Sequence, residues 1–173
     1  MDIIIRQESP RDYAAIKEIN DLAFKQANES MLIETLRDSP DFIPGLSLVA
    51  EFEQKIIGHI LFYPVKIVND SIEYVTLALA PMAVHPDYQR RGIGSKLVKE
   101  GLKRAKDLGH GSVIVAGHPE YYPRFGFKEA SGFGIRTPFN VPDNAFLAIE
   151  LANDALKDVK GIVKHPQPYL DTA

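Results

Sequence analysis

The chain has 173 residues, 20 Lys and Arg against 23 Asp and Glu for a formal charge of −3, and no cysteine. Its length suits one domain of the usual ~100–200 residues, and 45% apolar with 25% charged residues is a globular composition rather than a disordered or fibrous one. The missing cysteine excludes disulfides, thiolate metal sites and a cysteine nucleophile, and the mild acidity argues against non-specific nucleic-acid binding, so any anion site must be local.

Ile3-Ile4-Ile5 predicts a short buried strand, and Ser9-Pro10-Arg11-Asp12 reads as a capping box that starts a helix with Pro at its first position. Asp2, Arg6, Glu8, Arg11 and Asp12 interrupt the apolar core that a signal peptide needs, and no apolar run reaches the ~20 residues of a membrane span, so a cytoplasmic protein without membrane attachment is expected. Tyr13, Ile16, Ile19 and Ala23 share one helical face, and a second helix around Met31 to Leu36 stops at Ser39-Pro40.

The period then changes. Leu46 to Phe52, Ile56 to Val68 and Ile72 to Val84 are rich in Ile, Leu and Val and are separated by Glu53-Gln54-Lys55 and Asn69-Asp70-Ser71, which predicts three antiparallel strands joined by tight turns. Pro81 inside the third cannot donate to a ladder, so that strand should bulge or leave its neighbour there. A long amphipathic helix is predicted over Arg90 to Leu108, with Ile93, Leu97, Val98, Leu102, Ala105 and Leu108 on its buried stripe and Gly109 as its cap. Ser112 to Ala116 follows as a short apolar strand, and strand, helix, strand in this order gives a parallel crossover, so the sheet is mixed. Ser131 to Asn144 reads as a long loop or an irregular strand pair, and Ala145 to Leu151 as the last clear strand. Lys157 to Ala173 reads as a surface tail, with Ile162-Val163 a candidate added strand.

The chemistry concentrates in Gln89-Arg90-Arg91-Gly92-Ile93-Gly94. A helix start leaves about four amides without internal partners at the positive end of the dipole, which suits phosphate. Gly92 and Gly94 let an anion approach the backbone, Arg90 and Arg91 add charge, and Ser95 and Lys96 add donors. A diphosphate fits this pattern best. No Gly-Lys-Ser/Thr follows, so it is not a P-loop, and no third glycine makes it a dinucleotide fingerprint.

Ala80-Pro81-Met82-Ala83-Val84-His85-Pro86 followed by Gln89 to Gly94 resembles the acetyl-CoA signature of the GCN5-related N-acetyltransferase (GNAT) superfamily, Q/R-x-x-G-x-G/A after a splayed strand. Tyr122-Pro123-Arg124-Phe125-Gly126-Phe127 is similar to the superfamily's Y-x-x-x-G-F segment, in wording nearest a bacterial subgroup of predicted acetyltransferases. The resemblance implies an α/β (α+β) fold over residues 1–155, with a mixed, mostly antiparallel sheet flanked by helices, and a C-terminal extension over 156–173. It implies acetyl-CoA as co-substrate, held between the Leu77–Val84 and Ser112–Ala116 strands. Met82, Ala83 and Val84 would meet the pantetheine arm, and Gln89, Arg90, Arg91, Gly92, Ile93, Gly94 and Ser95 the pyrophosphate. Tyr122 would be the general acid to the departing thiolate, and the main-chain N–H of Val84 or its neighbour would polarise the thioester carbonyl.

The expected reaction is direct transfer of acetyl to a primary amine, from a small molecule or a peptide, in a ternary complex. An amine near pKa ~10.4 is mostly protonated at neutral pH, so a base or water chain is needed. Between Glu73 and Asp87 there is no acid, leaving Glu73, Glu51 or an acceptor needing no base. That gap keeps a second reading open: an acyl-CoA-binding regulatory module without efficient catalysis. His59, His85, His110, His118 and His165 show no zinc spacing, and no metal is expected; His118 is placed by the resemblance at the end of the strand facing the acetyl group. For the acceptor, Arg136 would suit an acidic group and Asp41 or Asp143 a basic one. A monomer or a homodimer is expected.

Overall fold

The structure, a computed structural model, describes residues 1–172. Among the described residues the strands are β1 (Ile4–Gln7), β2 (Ser47–Phe52), β3 (Lys55–Asn69), β4 (Ile72–Val84), β5 (Ser112–Ala116), β6 (Lys128–Glu129), β7 (Ile135–Arg136), β8 (Phe146–Glu150) and β9 (Gly161–Lys164). The helices are α1 (Tyr13–Phe24), α2 (Asn28–Arg37), α3 (Ile93–Asp107) and α4 (Gln167–Thr172). The chain forms two compact units: Met1–Tyr63, Ala80–Arg104 and Gln167 onward, and Pro64–Leu79 with Ala105–Pro166.

In the first unit β1, β2 and the first half of β3 pair antiparallel in that order, with Ile5 opposite Ala50 and Leu48 opposite Ile60. Strand residues alternate between two faces, and the two faces carry different helices. Val49, Leu61 and Tyr63 join Ile16 of α1 and Leu32, Ile33 and Leu36 of α2 in one core. Gly58 lies against Leu97 and Ile93 of α3, and Gly101 of α3 against the Phe62 ring. Each glycine removes the side chain that would separate helix from strand.

Helix starts differ from the sequence expectation in an instructive way. Pro10–Asp12 is a 3₁₀ turn, closed by Asp12 N–H to the Ser9 carbonyl at 2.8 Å, and α1 proper begins at Tyr13. The Asp12 carboxylate accepts from the Ser9 N–H at 2.8 Å, so the box forms one turn earlier than the α-helix. The long helix begins at Ile93 rather than Arg90, because Arg90 (φ 64°) and Gly92 (φ 79°) are left-handed.

The second unit carries the strand order β3-β4-β5-β8-β6, with β9 pairing antiparallel to β3 and parallel to β7. The β4–β5 pairing is parallel and brief, Leu77 opposite Val113 and Ala78 opposite Ile114; β5–β8 is antiparallel through all five residues of each strand. The mixed, mostly antiparallel sheet flanked by helices is therefore as the sequence implies. A core of Val65, Ile67, Ile114, Phe146, Leu156 and Val163 with their neighbours fills this unit. The end of the chain is not a surface tail: Val163 is 1% exposed, and Tyr169 of α4 is buried in the core of the first unit. The segment expected as a long loop or an irregular strand pair contains the short strand β7, with 3₁₀ turns at Ala130–Phe133 and Asp143–Ala145 on either side.

Candidate active site

In the first unit, β4 ends in Met82 and Val84, both half-buried, with Ala83 buried between them. The His85 N–H donates to the Ile57 carbonyl at 2.8 Å and ties the strand's exit to β3. Pro86–Tyr88 then forms a 3₁₀ turn, capped by His85 Nδ1, which accepts from the Asp87 N–H at 3.1 Å. Gln89 folds back, its Nε2 donating to the Val84 carbonyl at 3.0 Å. Gln89 therefore braces the end of the strand through the Val84 carbonyl.

Arg90, Arg91 and Gly92 are exposed, and a Cβ on Gly92 would meet nothing within 4 Å. The first internal bond of α3 runs from Lys96 N–H to the Gly92 carbonyl, 3.1 Å. Among the described residues the amides of Gly92, Ile93 and Gly94 take no backbone acceptor. The Arg91 guanidinium stands 5.4 Å from the centre of the Tyr88 ring. Ile93 is buried against Gly58, which fixes the position of these amides on the strand layer. Three amides without acceptors, a left-handed bend, open space and two arginines are a donor set that fits a diphosphate.

Tyr122 belongs to the second unit. After β5, Gly117 N–H donates to the Ala145 carbonyl at 2.9 Å and the chain turns into the 3₁₀ segment Tyr122–Phe125, closed by left-handed Gly126. The Tyr122 ring is 8% exposed and meets Tyr121 and Phe127 edge-on, with centroids 5.1 and 5.6 Å apart. A Cβ on Gly117 would come within 2.5 Å of the ring, so Gly117 supplies the clearance in which Tyr122 lies. Among the described residues its hydroxyl is tied to no other group. Burial, with a smaller contribution from Tyr121, pushes this phenol up to about 12.

The candidate bases are mostly engaged. Glu51 accepts from Arg6 Nε at 2.7 Å; it lines an open cavity of about 810 Å³ with Arg6, Asp12, Glu18, His85 and Tyr88, and Arg6 is held again by Asp12 at 2.7 Å. Glu73 is exposed and pairs with Lys66 at 3.2 Å. Thr76 is buried, its hydroxyl 2.7 Å from that of Ser112. The His118 side chain is exposed, while its carbonyl accepts from the Tyr121 N–H at 3.1 Å.

Sequence reasoning missed three contributors. Gly117 and Gly58 were visible only as glycines, since the bulk they make room for comes from residues elsewhere in the chain. The third is Tyr169, whose hydroxyl donates to the Ala80 carbonyl of β4 at 3.2 Å across 89 positions of sequence; no local signal announces such a pair.

Residues 13–127 match the model of the acetyltransferase (GNAT) family. The chain is 31% identical over 167 residues to the uncharacterized N-acetyltransferase YhbS of Escherichia coli, covering 96% of this chain and 98% of that protein. It is 35% identical over 133 residues to YjhQ of the same organism, an uncharacterized N-acetyltransferase, covering 76% and 74%. The crystal structure of E. coli YhbS in complex with CoA superposes with a TM-score of 0.89 over 97% of this chain and 92% of that one. A GNAT family acetyltransferase of Brucella melitensis in complex with acetyl-CoA gives 0.79 at 30% identity, over 97% and 98%. Among the described residues no helix is long and apolar enough to cross a membrane. The family match spans both the β4–α3 signature and the Tyr122 segment, and the chain belongs to the GNAT acetyltransferase family.

Proposed function

We propose that the protein transfers the acetyl group of acetyl-CoA directly to a primary amine. The observation that carries this is the start of α3, where acceptor-free amides at Gly92 to Gly94 lie beside Arg90 and Arg91. That donor set suits the diphosphate of coenzyme A, and the relatives in complex with CoA and acetyl-CoA support it. Met82, Ala83 and the N–H of Val84 are assigned to the pantetheine arm, and Gln89, Arg90, Arg91, Gly92, Ile93, Gly94 and Ser95 to the pyrophosphate, with Gln89 acting through the Val84 carbonyl.

The acceptor nitrogen attacks the thioester carbonyl, a C–N bond forms, the C–S bond breaks, and the amine's proton passes to solvent. No cysteine is present to carry the acetyl group, so transfer is direct. Tyr122 is the general acid to the leaving sulfur. With its phenol near 12 the donor form persists throughout the neutral range. Complete transfer to a thiolate whose acid lies near ~8.5 is uphill, so the contribution is a hydrogen bond that strengthens as charge builds on sulfur. Since Glu51 and Thr76 are engaged, the amine arrives unprotonated from solvent.

Two measurements test this. A panel of small amines, amino acids, aminoglycosides and peptide N-termini, scored by acetyl-CoA-dependent thiol release, should yield at least one acceptor; a protein that binds acetyl-CoA and acetylates none of them is the regulatory module instead. With an acceptor in hand, Tyr122→Phe should lower kcat on the order of a hundredfold with the affinity for CoA unchanged. Unaltered turnover removes Tyr122 from the reaction.

A further inference from the structure

The C-terminal helix returns to the first unit and buries Tyr169 among Ile16, Leu32, Leu36 and Tyr63, a core against which Ala80 of β4 also packs. The Tyr169 and Tyr63 rings lie 6.2 Å apart, and the Tyr63 hydroxyl is 2.6 Å from Ser39 Oγ. The Tyr169 hydroxyl donates to the Ala80 carbonyl at 3.2 Å.

Ala80 is a distinctive position along the strand. The parallel ladder of β4 ends at Ala78, Pro81 has no N–H to give, and Met82 and Val84 follow directly. Beyond Ala78 the pairing with β5 has ended, and a carbonyl left without a partner against a packed core is costly. A buried phenol, for its part, takes a hydrogen-bond acceptor wherever one is within reach. The bond therefore satisfies both partners and fixes the peptide plane two residues before the segment assigned to the pantetheine arm.

We propose that Tyr169 is a positioning residue for the acyl-CoA-binding end of β4, so that the C-terminal helix holds in place the main chain that receives the pantetheine and its acetyl group. This rests on the acetyl-CoA reading above and extends it to a residue outside the family's matched segment, which ends at residue 127. The contribution is selective. It acts on the strand and not on the start of α3, so it concerns the pantetheine half of the ligand and leaves the nucleotide half untouched.

The test is Tyr169→Phe, which removes one oxygen and keeps the ring in the core. Affinities are measured by calorimetry for acetyl-CoA and for the phosphorylated ADP half of coenzyme A without pantetheine. The expected result is a three- to tenfold weakening for acetyl-CoA, about what one neutral hydrogen bond is worth, with the nucleotide half bound as in the wild type. Equal weakening of both ligands, or no weakening of either, overturns the proposal by making Tyr169 a core residue only. Wild-type protein that binds the nucleotide half but not acetyl-CoA, or neither, overturns the acetyl-CoA reading itself and this inference with it.

Discussion

Single residues decide this site through what they leave out. Gly92 has open space around it and a left-handed φ of 79°, so an aspartate there combines backbone strain with a negative charge at the proposed diphosphate cradle. Gly92→Asp should abolish acetyl-CoA binding while the circular dichroism spectrum and melting curve stay close to wild type; retained binding by calorimetry would remove the diphosphate assignment. Gly117 works by clearance. A methyl group there must push the Tyr122 ring, so Gly117→Ala should lower kcat while acetyl-CoA still binds, at a stability cost of ~1–3 kcal/mol for the overpacking. Unchanged steady-state rates would show that Tyr122 tolerates displacement. The place of Gly92 in an anion site was legible in its motif but its left-handed φ was not, the helix being expected to start at Arg90; the need for space at Gly117 came from a ring five residues on whose direction only folding sets.

Among the elements, α3 is the one whose position matters most, because its first turn carries the amides of the proposed cradle. Its amphipathic stripe and its cap at Gly109 were plain in the sequence, except that Leu108, expected on the buried stripe, lies past the last helical residue and is exposed. Its seating was not. Gly101 sits against the Phe62 ring so closely that any Cβ must displace it, and Gly58 lets Ile93 and Leu97 reach the strand backbone. Gly101→Ala should lift the helix from β3, lowering stability by ~1–3 kcal/mol in urea titrations despite alanine's better helix propensity. A gain in stability would mean that Phe62 yields freely. The edge of the helix differed from expectation for a related reason: charge and glycine pointed to a helix start at Arg90, and the left-handed bends at Arg90 and Gly92 delay it to Ile93, turning the intervening amides outward.

At the scale of the whole molecule, the acid response should reflect two buried groups with the same sign. Asp12, hydrogen-bonded to Arg6 and to the Ser9 amide, has its carboxyl lowered to about 2 from an ordinary 3.8. A depressed carboxyl stabilises the fold above the unfolded value and loses that contribution as pH falls through the folded one, here roughly 2 kcal/mol between pH ~4 and ~2. His59 is completely buried beside Ser47, Glu8 and Arg37, and desolvation, with a smaller contribution from Arg37, lowers it to about 3. The unfolded chain takes up this proton near ~6.5 and the folded chain refuses it, so stability declines by up to ~1.4 kcal/mol per pH unit from pH ~6.5 downward. Between pH ~6.5 and ~4 His59 is the most deeply buried contributor, joined by His110 and His165, whose imidazoles burial also lowers. Urea midpoints of His59→Gln should fall less steeply over that interval than those of the wild type; parallel curves would place the sensitivity elsewhere.

By itself the sequence determined most of the order of strands and helices, the mixed sheet, and the two family motifs from which the diphosphate cradle and the role of Tyr122 are proposed. All of these rest on short-range patterns: hydrophobic period, turn chemistry, and a motif read within a few residues. The tertiary structure alone decided which groups are already engaged: Glu51 by Arg6, Thr76 by Ser112, the Val84 carbonyl by Gln89 and the Ala80 carbonyl by Tyr169. It also turned the expected surface tail into a core helix, preceded by β9 where the sequence offered Ile162-Val163 as a candidate strand. A hydrogen bond depends on distance and direction in space, and residues separated by 36 or 89 positions acquire both only when the strands and helices have packed.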